Sequence, residues 1–354
     1  MKLAPAWTLV APVAGWLLLG GTYLDLGGAY LAAVAVGLGA CIMAGVYHAE
    51  VVAHRVGEPF GTLILAVAIT VIEVALILVL MAAGGDDAKT VARDTVFAAV
   101  MIILNGIVGL CLLAGGMRYH EQEFTQQGTT ASLTTVAAIA VLTLILPNYT
   151  STTPGPYYSA SQLAFIAVVS LVLYGTFVVV QTVRHRRDFL QADAEEPHLA
   201  PPTDGAAIAS GVMLVIALGA VVLDAKALAP TLEKLVLAVG APQAGVGVLI
   251  AMLVLGPEGY SALRAARANR LQTSLNLALG SAIASIGLTI PSVAVLSMVT
   301  GTTLALGLDS MGTALLVLSL FIAALSLSTG RTTVLQGVVH LVIFAVYLFT
   351  TVVP

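Results

Sequence analysis

The chain has 354 residues, of which 59% are hydrophobic and only 9% charged, where a soluble domain carries about 25% charged residues. That balance, with a mean hydropathy of +1.03, excludes a water-soluble globule and predicts an all-α, polytopic membrane protein. The formal net charge of −4 matters less than where the charges fall.

The first run, MKLAPAWTLVAPVAGWLLLGG, has the single Lys and short apolar core of a signal peptide. We read it as a first transmembrane helix, because the charge topology works with it retained. Apolar spans follow in order. The first six are Ala6–Leu24, Gly28–Tyr47, Glu58–Ala83, Thr95–Met117, Ser132–Leu146 and Gln162–Val183; the rest are Ala206–Leu223, Gln243–Leu263, Gln272–Met298, Met311–Leu327 and Val334–Val352. That makes about 11 transmembrane helices. Two places leave room for ten or twelve: Gly301–Asp309, and Pro291, which would break the ninth span. Cys41 and Cys111 fall within spans and read as free thiols, without disulfide or metal-ligand spacing.

The positive-inside rule tests the count. With a cytoplasmic N-terminus, Lys2, Arg55, Arg118, Arg184, Arg186, Arg187, Arg264, Arg267, Arg270 and Arg331 lie inside, and Lys89, Arg93, Lys226 and Lys234 outside. Ten against four favours an N-terminus inside and a C-terminus outside. The segment RHRRDFLQADAEEPHLAPPTDG begins basic, turns acidic and ends rich in Pro. It reads as a solvated cytoplasmic tether, with a cation-sensing role for Asp188, Asp193, Glu195 and Glu196 as the rival.

The predicted organisation is an N-terminal helix (1–27), a first five-helix repeat (28–187), an acidic linker (188–205) and a second five-helix repeat (206–354). An odd number of spans per half inverts the two halves. Inverted repeats of this kind place a binding site near the midplane, where the repeats meet.

Two acids stand out within apolar spans. Glu73 lies in GEPFGTLILAVAITVIEVALILVLMAA and Glu258 in VLIAMLVLGPEGYSAL, each in the second span of its half. An ionised carboxylate at such a depth costs several kcal/mol unless paired, hydrated or protonated, and marks a functional site by default. Gly57, Pro59 and Gly61 precede the first acid; Gly256, Pro257 and Gly259 surround the second. Helix-weakening residues there predict broken helices lining a cavity; the alternative is kinking for packing. The next span of each half adds Asn105, and Gln272, Ser274, Asn276, Ser281 and Ser285. Carboxylates, amides and hydroxyls make an all-oxygen shell, suited to hard cations rather than zinc or copper. For the serines singly, packing by small residues is the plainer reading. Burial and a neighbouring like charge both disfavour an ionised carboxylate. Cations and protons then compete for the same oxygens, and a site that turns only when occupied couples their fluxes.

Tyr47, His48, Glu50, His54, Arg55 and Glu58 read as an interfacial polar loop, and PNYTSTTPGPYYS as an outside loop. No phosphate-cradling loop, nucleophile elbow or HExxH occurs, so an ATP-driven pump lacks its usual parts.

On the stretches GEPFGTLILAVAITVIEVALI, LPNYTSTTPGPYYS and ALRAARANRLQTSLNLALGSAIASIGLTIP, the chain resembles the cation/proton exchanger branch of the calcium/cation antiporter superfamily, and most of all its ChaA type. The resemblance implies an acid in a GNATE-like motif of each half, falling on Glu73 and Glu258, with Asn105 and Ser281 on polar positions of the helices that follow. Here the first motif reads Ile69–Thr70–Val71–Ile72 and the second Val254–Leu255–Gly256–Pro257. Both motif asparagines are absent, with Thr70 a partial substitute, which leaves room for sodium or potassium as well as calcium.

The expected function is therefore secondary antiport of calcium, sodium or potassium against protons across a bacterial cytoplasmic (inner) membrane. The expected site is Glu73, Glu258 and Asn105, supported by Thr70, Gln272, Asn276, Ser281 and Ser285. No cofactor is expected beyond the transported calcium, sodium or potassium and protons; the expected partners are the bilayer and those ions, nucleic acid is not expected, and the sequence leaves an oligomer open without arguing for one. The rivals are a cation channel using the same glutamates without proton coupling, and an intramembrane enzyme, for which no nucleophile accompanies the acids.

Overall fold

The computed structural model describes residues 5–22, 24, 27–57, 60–83, 89–190, 202–238 and 244–353. Lys2, Glu58, Pro59, Asp193, Glu195 and Glu196, and with them most of the acidic linker, lie outside the described residues.

In chain order the long helices are α1 (Ala6–Thr22), α2 (Gly28–Val56), α3 (Phe60–Ala83), α4 (Val91–Tyr119), α5 (Gln126–Tyr149), α6 (Ala160–Arg184), α7 (Asp204–Ala238), α8 (Ala244–Arg267), α9 (Leu271–Thr300), α10 (Ser310–Ser326) and α11 (Val334–Val352), with a single helical turn at Arg186–Phe189 after α6. Among the described residues, eight are long and apolar enough to cross a bilayer, and Ala6–Thr22, Val67–Val79 and Ser310–Ser326 are shorter apolar stretches. The protein is a multi-pass, all-α membrane protein.

The backbone departs from expectation at the prolines. α8 runs through Pro257 and α9 through Pro291 without ending. The irregular turns lie elsewhere: wide π-type turns occupy Ile102–Ile107 of α4, Val141–Ile145 of α5 and Val180–Arg184 of α6. Such turns are frequent at functional sites. From Tyr47 to Arg55 the polar cluster read as a loop is also helical, because α2 continues to Val56; His48 is buried and its Nε2 lies 3.0 Å from the Thr8 carbonyl.

The chain divides into two compact units. The first comprises residues 1–88 and 197–246. In it α2 packs along both α1 and α7, and α3 packs on α2 and α7. Small residues bring these helices close: Gly45 faces Ala217 and Ile72. The Trp16 indole N–H donates to the Ile216 carbonyl at 3.1 Å, and the Arg55 guanidinium meets Asp204 at the ends of α2 and α7.

The second unit comprises residues 89–196 and 247–354. Its central helix is α4, with 83% of its apolar window buried. α11 lies against α4 so closely that a Cβ on Gly337 would fall 2.4 Å from the Leu113 backbone nitrogen, so only glycine fits; small residues at helix contacts let backbones approach in membranes. α9 packs on α6 and α5. Gln122–Glu123 pairs antiparallel with Arg331–Thr332, and Arg331 holds Glu123 at 3.0 Å.

Gly301–Asp309 is not a span. Its buried part, Leu304–Leu308, is extended chain whose backbone is satisfied: Leu306 N–H donates to the Pro156 carbonyl at 3.0 Å, Leu308 N–H to Leu144 at 2.8 Å and Ala305 N–H to Lys89 at 3.0 Å. The loop predicted at Pro147–Ser159 is the one it packs against. Here the buried Tyr158 hydroxyl donates to the Leu142 carbonyl, and burial pushes its phenol up to about 12.

Each unit takes helices from both sides of the linker, so the compact units and the sequence halves are different partitions of the chain.

Candidate functional site

Glu73 belongs to the first unit. Around it the α3 stripe of Ile69, Thr70, Ile72, Glu73, Leu76 and Ile77 is buried, while Val67 and Val71 are exposed. Three residues apart on one helix, Thr70 and Glu73 share a face. The carboxyl group thus enters the interior on a stripe that is otherwise aliphatic apart from one hydroxyl.

Glu258 belongs to the second unit and is only partly buried. Its carboxylate accepts a hydrogen bond from the Ser281 hydroxyl of α9. Ser285, one turn beyond Ser281, is buried on the same helix. Beside the acid, Gly259 faces Ile107, in the wide turn of α4: a Cβ there would lie 3.2 Å from the Ile107 side chain. Gly259 therefore admits the neighbouring helix, while Gly256 has open space beside it, and α8 is unbroken.

Asn105 sits in that same wide turn and is fully buried. Its amide donates to the Ser319 hydroxyl of α10 at 2.8 Å, and its carbonyl oxygen lies 3.3 Å from His340 Nδ1 of α11. Ser319 in turn donates to the Leu315 carbonyl at 2.7 Å. The side chain singled out as a cation ligand is thus engaged, at both ends, by α10 and α11.

Gln272 and Asn276 form a separate cluster at the start of α9. Gln272 donates to Asn276 at 2.8 Å and accepts from the Thr125 N–H at 2.6 Å, and Asn276 donates to the Phe189 carbonyl. These amides pin the connections before α5 and after α6. Nine residues of helix, about 13 Å, separate Gln272 from Ser281. The structure brings together Glu258 with Ser281, and Gln272 with Asn276; it places Glu73 with Thr70 in the other unit.

Three residues escaped the sequence reading. His340 and Ser319, each fully buried, complete the Asn105 network. A histidine in an otherwise apolar eleventh span was a visible signal for the first; a serine in such a span has no distinguishing mark. The third is Asp224, fully buried in the first unit. The seventh span was predicted to stop at Leu223, but α7 continues to Ala238, which carries the acid inside the helix. Among the described residues, no group of three or more His, Cys, Asp or Glu is placed to hold a metal ion.

Residues 26–183 and 209–353 match the family described as sodium/calcium exchanger protein. The chain is 47% identical over 355 residues to a putative ionic transporter, y4hA, of Sinorhizobium fredii, covering 99% of this chain and 97% of that one. It is 38% identical over 310 residues to the sodium-potassium/proton antiporter ChaA of Escherichia coli, covering 86% and 84%. Among solved structures, native YfkE superimposes with a TM-score of 0.77 at 17% identity, over 98% of this chain and 100% of that one. The H+/Ca2+ exchanger CAX does so with a TM-score of 0.71 at 14% identity, over 96% and 87%. At these identities the two structures share its fold.

Proposed function

The chain belongs to the sodium/calcium exchanger protein family, and we propose that it is a secondary active antiporter exchanging calcium, sodium or potassium for protons across a bacterial cytoplasmic membrane. The observation that carries this reading is the 38% identity, over most of both chains, to a relative named as a sodium-potassium/proton antiporter. The asymmetry of basic residues supports an N-terminus on the cytoplasmic side.

Glu73 and Glu258 are the shared cation and proton site of this reading. Glu73 lies on a buried, mostly aliphatic stripe, where an ionised carboxylate is costly. A proton or a bound cation relieves that cost, and each excludes the other. Glu258 has a hydroxyl donor in Ser281, which stabilises its charged form through a charge-assisted bond. A cation would complete its shell from hydroxyl, amide and backbone oxygens, as hard cations do. Alternating access follows if the protein turns only with the site filled, by protons in one direction and by a cation in the other.

The test is cation-driven proton release in inside-out vesicles carrying a proton gradient, with calcium, sodium and potassium added separately. A transported cation dissipates the gradient, and Glu73→Gln and Glu258→Gln each abolish the response with folded protein retained. Persistence of the response in both variants would remove the glutamates from the site. Cation movement with no proton dependence would make the protein a channel.

A further inference from the structure

Asp224 has a setting unlike that of either glutamate. It lies on α7, fully buried, and neither carboxylate oxygen has a hydrogen-bond partner among the described residues. Its Oδ2 and the Cys41 sulfur of α2 meet over Gly15 of α1: a Cβ on that glycine would lie 3.2 Å from the oxygen and 2.5 Å from the sulfur. The thiol does not serve the acid, because its Sγ donates to the Ala11 carbonyl at 3.2 Å. The Ala220 methyl approaches the same face of Gly15, 3.1 Å from the position of such a Cβ.

The titratable groups around it are few. α1 carries none. α2 presents Cys41 beside the acid and His48 two turns further on; His48 is occupied by Thr8 through Nε2. On α3 the described titratable side chain is Glu73, and on α7 itself Lys226, two residues on, is exposed. Among the described residues, no cation is paired with Asp224.

An ionised carboxylate without donor or counter-ion is not sustained in such surroundings; the group neutralises instead. A metal ion is no alternative partner, because hard cations demand six or more oxygens and, among the described residues, no group of three or more His, Cys, Asp or Glu is placed to hold one. A proton needs a single oxygen. A neutral side chain of similar size would pack there at less cost, and an acid kept within a membrane helix marks a proton or ion pathway by default.

We propose that Asp224 is a proton-binding site, separate from Glu73 and Glu258, that takes a proton but no metal ion and releases it once per transport cycle. Proton occupancy stands on the geometry alone; release during the cycle rests on the antiporter reading.

Infrared spectroscopy of the whole protein in lipid tests occupancy without transport. At neutral pH the wild type is expected to show a protonated-carboxyl stretch that shifts on 13C-aspartate labelling and in D2O, persists when calcium, sodium or potassium is added at fixed pH, and is missing from Asp224→Asn. Absence of a labelled protonated band from the wild type overturns the proposal, and so does its bleaching by any of the three cations. The wild-type measurement stands even if the variant fails to fold, and Asp224→Leu provides a second band-free reference. The second arm is the proton-to-cation ratio in reconstituted vesicles, expected to fall by one proton in Asp224→Asn; an unchanged ratio overturns release during the cycle. If the wild type shows no cation-driven proton movement at all, the antiporter reading fails and release with it, while the infrared band still decides occupancy.

Discussion

The two compact units each carry one of the glutamates, and they house it differently. In the first, Glu73 is enclosed on an aliphatic stripe with Thr70 one turn away. In the second, Glu258 is only partly buried, sits beside a proline within a continuous helix, and takes a hydroxyl donor from α9. The same side chain is thus fully enclosed on a mostly aliphatic stripe in one place and partly exposed beside a serine hydroxyl in the other. The difference teaches that the two acids need not be electrostatically alike: Glu73 is the more deeply buried, and Glu258 is the more exposed and takes a hydroxyl donor from another helix.

The strongest way to break this comparison is to remove the charges. Glu73→Gln and Glu258→Gln are each expected to abolish cation-driven proton release in inside-out vesicles; a variant that retains wild-type release has no place in the site. Next in size is Ser281→Ala. A hydrogen bond to a charged group contributes roughly 1.5–3 kcal/mol, so losing it is expected to change the apparent cation affinity by about ten- to a hundredfold, read from concentration dependence of transport. Thr70→Val on the other unit is expected to do less, and an effect as large as that of Ser281→Ala would show the two acids to be equally dependent on hydroxyls.

Asn105→Leu is expected to act on stability first, because it takes from the buried His340 Nδ1 its Asn105 partner and from Ser319 its donor, inside the second unit. Leaving a buried polar group unsatisfied costs about 1–3 kcal/mol, visible as a lowered melting temperature in detergent. An unchanged melting temperature with lost cation affinity would instead make Asn105 a ligand. Smallest is Arg55→Ala at the Arg55–Asp204 pair of the first unit, which is well exposed at 38% and 78%. Exposed ion pairs contribute about 0–1 kcal/mol, so transport and melting temperature should both stay near wild type.

Much of the architecture was legible because it is written locally. A bilayer demands about 20 apolar residues per helix, and that demand shows in any window of sequence; so does a glutamate interrupting such a window. The prolines misled, because membrane helices tolerate proline in their interior, and α8 and α9 run on through Pro257 and Pro291. Asp224 was missed for the opposite reason: hydropathy falls at Asp224–Lys226, but the helix goes on.

What the sequence determined by itself is the class of the protein, the order of its apolar helices and the presence of acids within them, since these follow from how each short segment partitions between lipid and water. Tertiary structure alone decided which polar groups meet. Asn105 bonds a serine 214 positions away, Gln272 and Asn276 are spent on loops, and Asp224 is left among apolar neighbours. Such pairings depend on how helices distant in the chain pack and which faces they turn to one another, and no local window of residues contains that information.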